Sequence, residues 1–189
     1  MDTVRTKTRE EAWKLLCEWT EHANLRKHAL AVEAAMRHYA KYFDENADLW
    51  GMVGLLHDFD YEKYPSLEDH PYKGQEVLRK LGYPEVVLRG IMAHAPHTGT
   101  ERITRMEKAI FAVDDLTGFV VAVALIKPNK TLIEVDVASV KKKMKQKGFA
   151  AAVSREDITT GAQELELSLD EHIEHVLKAM QGIADELEL

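Results

Sequence analysis

Apolar residues recur at three- and four-residue spacings along most of the chain, a periodicity that predicts helices rather than strands. It places one helix over 8–20, a second over 24–43 with Asn24 as its candidate cap, and a third over 46–57. The stretch DFDYEKYPSLED then breaks the pattern, with Tyr-Pro as its punctuation. Further helices are expected over 69–81, 84–95 and 102–126, the first two separated by Gly82-Tyr83-Pro84 and the second ended by APHTGT. Beyond Pro128, TLIEVDVAS alternates as a short strand would but is too brief to assign, and helices over 136–148 and 168–187 complete the chain. The expected fold class is all-α. With neither a repeat nor a low-complexity linker, 1–189 is expected to form a single domain, with its core over about 24–126 and a helical extension over about 128–189.

Composition narrows the class. The 46% apolar and 30% charged residues, with ten Gly and five Pro, describe an ordinary globular chain rich in helix formers. The one cysteine, Cys17, excludes an intramolecular disulfide and a thiolate-cluster metal site, and its place beside Trp13 and Leu16 suggests a small core residue. The opening MDTVRTKTREEAW has no apolar leader segment, and the longest apolar run, LTGFVVAVALI, is too short to span a bilayer. A cytoplasmic protein without a membrane partner is expected. A formal charge of −7 argues against binding a nucleic-acid polymer, although Lys141, Lys142, Lys143, Lys145 and Lys147 cluster locally. A solvated helix face explains that cluster, and one or two members could meet an anionic substrate.

Several polar residues interrupt the apolar faces. His57 extends the stripe of Trp50, Val53 and Leu56, and Asp58 follows where the helix should stop. His28 lies on the stripe of Leu25, Val32, Ala35 and Tyr39, and His94 follows Val87 and Ile91. Each alone could be a satisfied core histidine. Asp114 and Asp115 interrupt AIFAVDDLTGFVVAVALI, where an unpaired carboxylate is costly and periodicity does not choose between the two. His70, with Gly74 one turn later, is either a ligand or a surface residue after an Asp69 cap. Together His28, His57, Asp58, His70, His94 and Asp114 offer imidazole and carboxylate donors from five helices or helix ends, the way α-bundles build metal centres. Nitrogen and oxygen donors without thiolate suit Mn, Fe, Co, Ni or Zn. His22, His38, His172 and His175 read as surface or flanking residues, and His97 as a substitute ligand or rim residue.

This ordered set resembles the HD superfamily of metal-dependent phosphohydrolases, over about residues 24–120. His28, the doublet His57-Asp58 and the distant Asp114 follow the family's order. HPYKGQEVLRKLGYPEVVLRGIMAH resembles the segment carrying two further histidines in HD-GYP and YqeK-type enzymes, and MEKAIFAVDDLTG aligns Asp114 with the distant ligand. FVVAVALIKP and KKKMKQKGFAAAVSRED look more like small stand-alone predicted HD hydrolases. The doublet stands in HDFDY where HDIGK is common, so Asp60 and Tyr61 replace the usual Gly and Lys, with Lys63 displaced by two. No GYP follows His94, which argues against cyclic-di-GMP as substrate.

The resemblance implies an HD-domain helical bundle with one or two divalent transition metals per chain and hydrolysis of a small phosphorylated, nucleotide-type substrate. In its dinuclear form Asp58 would bridge the ions, His28, His57 and Asp114 completing one site and His70 and His94 the other, with Asp58 and Lys63 as catalytic residues. Lys63, Lys141, Lys142 or Arg155 could bind phosphate oxygens, with His97 at the rim. Two rivals accompany this reading: a di-iron oxygenase on the same ligands, and a non-catalytic nucleotide-binding module. The apolar face of the last helix could pack on its own domain or support a homo-oligomer.

Overall fold

The computed structural model describes residues 7–189. Residues 1–6, the start of the segment read as lacking a leader, lie outside the described residues. Ten α-helices follow one another among the described residues: α1 Arg9–Trp19, α2 Ala23–Tyr42, α3 Ala47–Leu56, α4 Tyr72–Lys80, α5 Glu85–His94, α6 Arg105–Leu125, α7 Val137–Met144, α8 Arg155–Glu164, α9 Leu169–Gln181 and α10 Ala184–Leu187. No strand occurs among the described residues, and the alternating segment near 131–139 instead folds as a 3₁₀ turn, Leu132–Glu134, leading into α7. None of these helices is long and apolar enough to cross a membrane.

The helices start where local hydrogen bonding satisfies their free N–H groups. Thr8 with Glu11, Thr104 with Glu107 and Ser168 with Glu171 form reciprocal capping boxes on α1, α6 and α9. Asn46 caps α3 through Asp48 and Leu49. The cap of α2 is His22 rather than Asn24: its Nδ1 accepts the backbone N–H of Asn24.

Helix α6 is the central element. Its residues Ala109, Ile110, Ala112, Val113, Leu116, Phe119, Val120, Val123 and Ala124 are buried, so its near-continuous apolar sequence reflects contact on most of its circumference. It packs against α2, α5, α8 and α9. The same apolar cluster takes in Val32, Tyr39, Leu56 and Ile91 as well as Ile158, Ile173, Val176 and Met180. The C-terminal helices therefore share the core of the first six.

Helix α8 departs from the sequence reading, which left 155–164 unassigned. Its Thr159, Thr160 and Gly161 are weak helix formers, but tertiary contact requires the glycine. A Cβ on Gly161 would lie 2.5 Å from Ala112 Cα, so α8 crosses α6 backbone to backbone. His172 also departs from its surface reading. It is fully buried, Nε2 donating to Ala112 O at 3.0 Å and Nδ1 accepting the Tyr39 hydroxyl at 2.6 Å. His38 and His175 meet at 2.9 Å between α2 and α9 rather than standing apart on the surface. Cys17 is partly exposed, with Leu16 taking the core position beside it.

Candidate metal centre

Histidine 57 follows the last residue of α3 but keeps helical geometry (φ −57°, ψ −39°), so its ring stays on the buried face. The chain turns there and places Asp58 beside His28 of α2 and His94 of α5. His28 comes from α2, Asp114 from α6 and His94 from the last position of α5, while His70 precedes α4. All six residues expected from the sequence converge.

They form two triads. His28, His57 and Asp114 each offer one donor atom within 4.8 Å of the others, as do Asp58, His70 and His94, and each set could hold a metal ion. Asp58 lies between them. Its Oδ1 is 3.2 Å from His70 Nε2 and 3.3 Å from His94 Nε2. Its Oδ2 is 3.4 Å from His57 Nε2 and 4.0 Å from His28 Nε2. Asp114 Oδ1 completes the first triad, 2.9 Å from His28 Nε2 and 3.5 Å from His57 Nε2.

The outer nitrogens are held by the fold. His57 Nδ1 donates to Gly54 O at 2.8 Å, His94 Nδ1 to Ile91 O at 2.5 Å and His70 Nδ1 to Asp60 Oδ1 at 2.8 Å. These bonds place a proton on Nδ1 and aim Nε2 inward, the arrangement a ligating imidazole needs. His57 Nε2 is fully buried and has no hydrogen-bond partner. An orphaned buried nitrogen facing two carboxylates fits a cation between them.

Asp60 was not among the expected site residues. It is fully buried, and its Oδ2 accepts the Gly74 N–H at 2.8 Å while Oδ1 holds His70. A Cβ on Gly74 would lie 2.7 Å from Asp60 Cγ, so the glycine lets the α4 backbone reach the carboxylate. The signal in the sequence was the pair itself, an aspartate two residues after the doublet and a glycine four after His70. His70 is therefore buried, and Pro71 rather than Asp69 stands at the α4 cap position.

The electrostatics follow from this packing. Burial opposes a charge on His57, but Asp58 and Asp114 outweigh it and hold the imidazole well above its ordinary pKa. His70 is likewise desolvated yet pushed up to about 9 by Asp58 and Asp60. Despite burial, Asp58 is held well below the carboxylate range by His57, His70 and His94, and Asp114 by His57 and His28. Asp115 behaves oppositely. Burial and the charges of Asp114 and Asp157 push it up to about 7.

A cavity of about 430 Å³ opens onto the triads. His28, Asp58, His70, His94 and Asp114 face it together with Tyr61, His97, Phe111, Asp115 and Asp157. His97, expected as a substitute ligand or a rim residue, lines the cavity outside both triads, with Nε2 donating to His70 O at 2.8 Å. The basic residues expected at the substrate are elsewhere. Lys63 extends along α1, its Nζ 4.1 Å from the Trp19 ring centroid. Lys141 pairs with Asp170 at 2.5 Å, and Lys142 shares that separate groove. Arg155 ties down the carbonyls of Phe149, Ala150 and Val153 and covers Phe119, so its guanidinium serves the turn before α8. No Lys or Arg lines the cavity among the described residues.

Sequence comparison meets this geometry at one point: residues 25–118 match the family model of the HD domain, a span that contains all six donors. No curated protein and no solved structure matches the chain.

Proposed function

The chain belongs to the HD superfamily of metal-dependent hydrolases, and we propose that it cleaves a phosphate ester in a small substrate, using two divalent ions held by the two triads. The observation that carries this reading is the Asp58 carboxylate, whose Oδ1 faces His70 and His94 while Oδ2 faces His57 and His28. One carboxylate set between two groups of inward-facing nitrogens suits a bridging ligand. His28, His57 and Asp114 would hold one ion and His70 and His94 the other, and N/O donors of this kind favour Mn, Fe, Co, Ni or Zn. Ions so bound lower the pKa of water and offset charge on the phosphoryl oxygens.

The protein's own part is orientation. Gly54 O, Ile91 O and Asp60 fix three ring tautomers before any substrate arrives. Tyr61, His97 and Phe111 wall the cavity beside the triads. A nucleoside polyphosphate would need cations beyond the ions themselves, and Lys63, Lys141, Lys142 and Arg155 lie away from the cavity. The substrate we favour is therefore a monoester, whose one phosphoryl group the two triads can serve.

Elemental analysis of protein purified anaerobically tests the centre: about two ions per chain are expected, falling towards one in His70→Ala. Release of inorganic phosphate from monoesters tests the chemistry. It should be lost in Asp58→Ala with the helical circular-dichroism spectrum retained, and full activity in that variant would sink the proposal.

A further inference from the structure

Helix α6 is covered on most of its circumference, and the face that stays open starts at the metal centre. Asp114, Gly118, Val121 and Leu125 follow one another at helical spacing, so they lie on one side of α6, along about 16 Å of its axis. These four are partly or well exposed, while Leu116, Phe119, Val120 and Val123 between them are buried.

The far part of this face floors a second cavity, of about 260 Å³. His28, a member of the first triad, lines both this cavity and the one at the metal centre. The second cavity is largely aliphatic, with Val121 and Leu125 of α6 joined by Leu187 and Leu189. Lys27 and Glu188 line it too, but their charges are spent on each other, Nζ to Oε2 at 2.6 Å, a pair that fastens the end of α10 to α2.

Gly118 is an independent sign that something passes along this face. Among the described residues, the other glycines inside helices are Gly51, Gly54, Gly74, Gly90 and Gly161. Each has an atom 2.5–3.0 Å from where a Cβ would lie, so close packing explains them. At Gly118 nothing lies within 4 Å, although a glycine in mid-helix costs stability relative to alanine. Packing within the protein does not account for it. A side chain there would lean towards the turn of α6 that carries Asp114, into the passage between the aliphatic cavity and the triads. The glycine keeps that passage clear.

We propose that the substrate is the phosphate monoester of an aliphatic alcohol, its phosphoryl group at the triads and its hydrocarbon chain passing over Gly118 to lie among Val121, Leu125, Leu187 and Leu189. This rests on the hydrolase reading above. A chain placed there leaves water for an aliphatic wall, whereas a sugar or a base would find the amide of Asn24 and no carbocyclic ring to stack on. In the reaction a water oxygen forms a new P–O bond, the P–O bond to the alcohol breaks, and a proton from the water ends on the leaving oxygen. The products are inorganic phosphate and the free alcohol, with no change of oxidation state. Gly118 and Val121 act as specificity residues that touch only the chain.

The test varies chain length. Metal-loaded native protein is assayed with ethyl phosphate and with octyl phosphate below its micelle concentration. Calorimetry measures binding of ethylphosphonate against octylphosphonate, whose P–C bonds resist hydrolysis. Each methylene that leaves water should contribute about fourfold, so kcat/KM and affinity should favour the octyl compounds by tenfold or more. In Gly118→Leu, which fills the passage, that preference should fall to near one, and Val121→Asn, which makes the wall polar, should lower it as well. Circular dichroism and metal content check that each variant is folded and loaded. Equal treatment of the two chain lengths by the native protein, or a preference that survives in both variants, would overturn the proposal while leaving the hydrolase reading intact. Absence of cleavage of every monoester, p-nitrophenyl phosphate included, by protein carrying its metal would overturn the hydrolase reading and this inference with it.

Discussion

Asp60 accepts the Nδ1 proton of His70 at 2.8 Å, on the far side of the ring from Asp58. The bond fixes which nitrogen faces the metal centre, and the Gly74 N–H at 2.8 Å fixes the carboxylate in turn. A ligand supported in this way is more basic and loses less freedom when it binds an ion.

Asp60→Asn should therefore weaken metal binding at the triad of Asp58, His70 and His94 by about 10–100-fold. The amide can still accept one of the two bonds, so the fold should persist. Titration of the metal-stripped protein, followed by calorimetry, would show one of two binding steps weakened. Two unchanged steps would contradict a supporting role for Asp60.

Gly161→Ala tests how α8 is held. The added Cβ would lie 2.5 Å from the Ala112 Cα, and backbone cannot give way as a side chain can. Overpacking of this kind costs about 1–3 kcal/mol. For a chain of this size the melting temperature should fall by roughly 2–12 °C. Metal stoichiometry should not change, because no donor lies on α8.

The sequence was most informative where periodicity and chemistry coincide. His28, His57, His94 and Asp114 stood on apolar faces, and each projects into the cluster those faces surround. Asp60 was harder to see because its reason is a partner fourteen residues away, the backbone of Gly74. Helix α8 is hard to see because local propensity at Thr159-Thr160-Gly161 opposes a helix that the Ser154 cap and the contact with Ala112 support. The lysines and Arg155 misled for a related reason. Charge is visible in a sequence, but Asp170, Trp19 and the carbonyls that engage those charges are not.

Metal binding should release protons. Asp58 and Asp60 hold His70 at about 9, and Asp58 with Asp114 raises His57 as well, so near pH 7 both imidazoles carry a proton on the nitrogen an ion must take. Affinity should therefore fall as pH falls. Calorimetric titrations of the metal in buffers of different ionisation enthalpy should give about two protons released at pH 7. A heat independent of the buffer would show that the ligands are already neutral.

The buried His172 predicts an acid-side loss of stability that is separate from the metal centre. Its two bonds, to Ala112 O and from the Tyr39 hydroxyl, use the neutral ring completely, and burial lowers its pKa to about 4. In the unfolded chain the same ring titrates near its ordinary value of about 6.5. As pH falls below that value the unfolded state gains a proton that the folded state refuses until about 4, so folding weakens through this window. The shift corresponds to a loss of about 2 kcal/mol between pH 7 and pH 5. His38 and His175, both lowered chiefly by burial, add to it in the same direction. Urea unfolding of metal-stripped protein at the two pH values should show this loss. His172→Gln, which keeps an amide donor for Ala112 O and cannot titrate, should be less stable at pH 7 but lose less on acidification. A variant that loses as much as the native chain would assign the acid sensitivity to other groups.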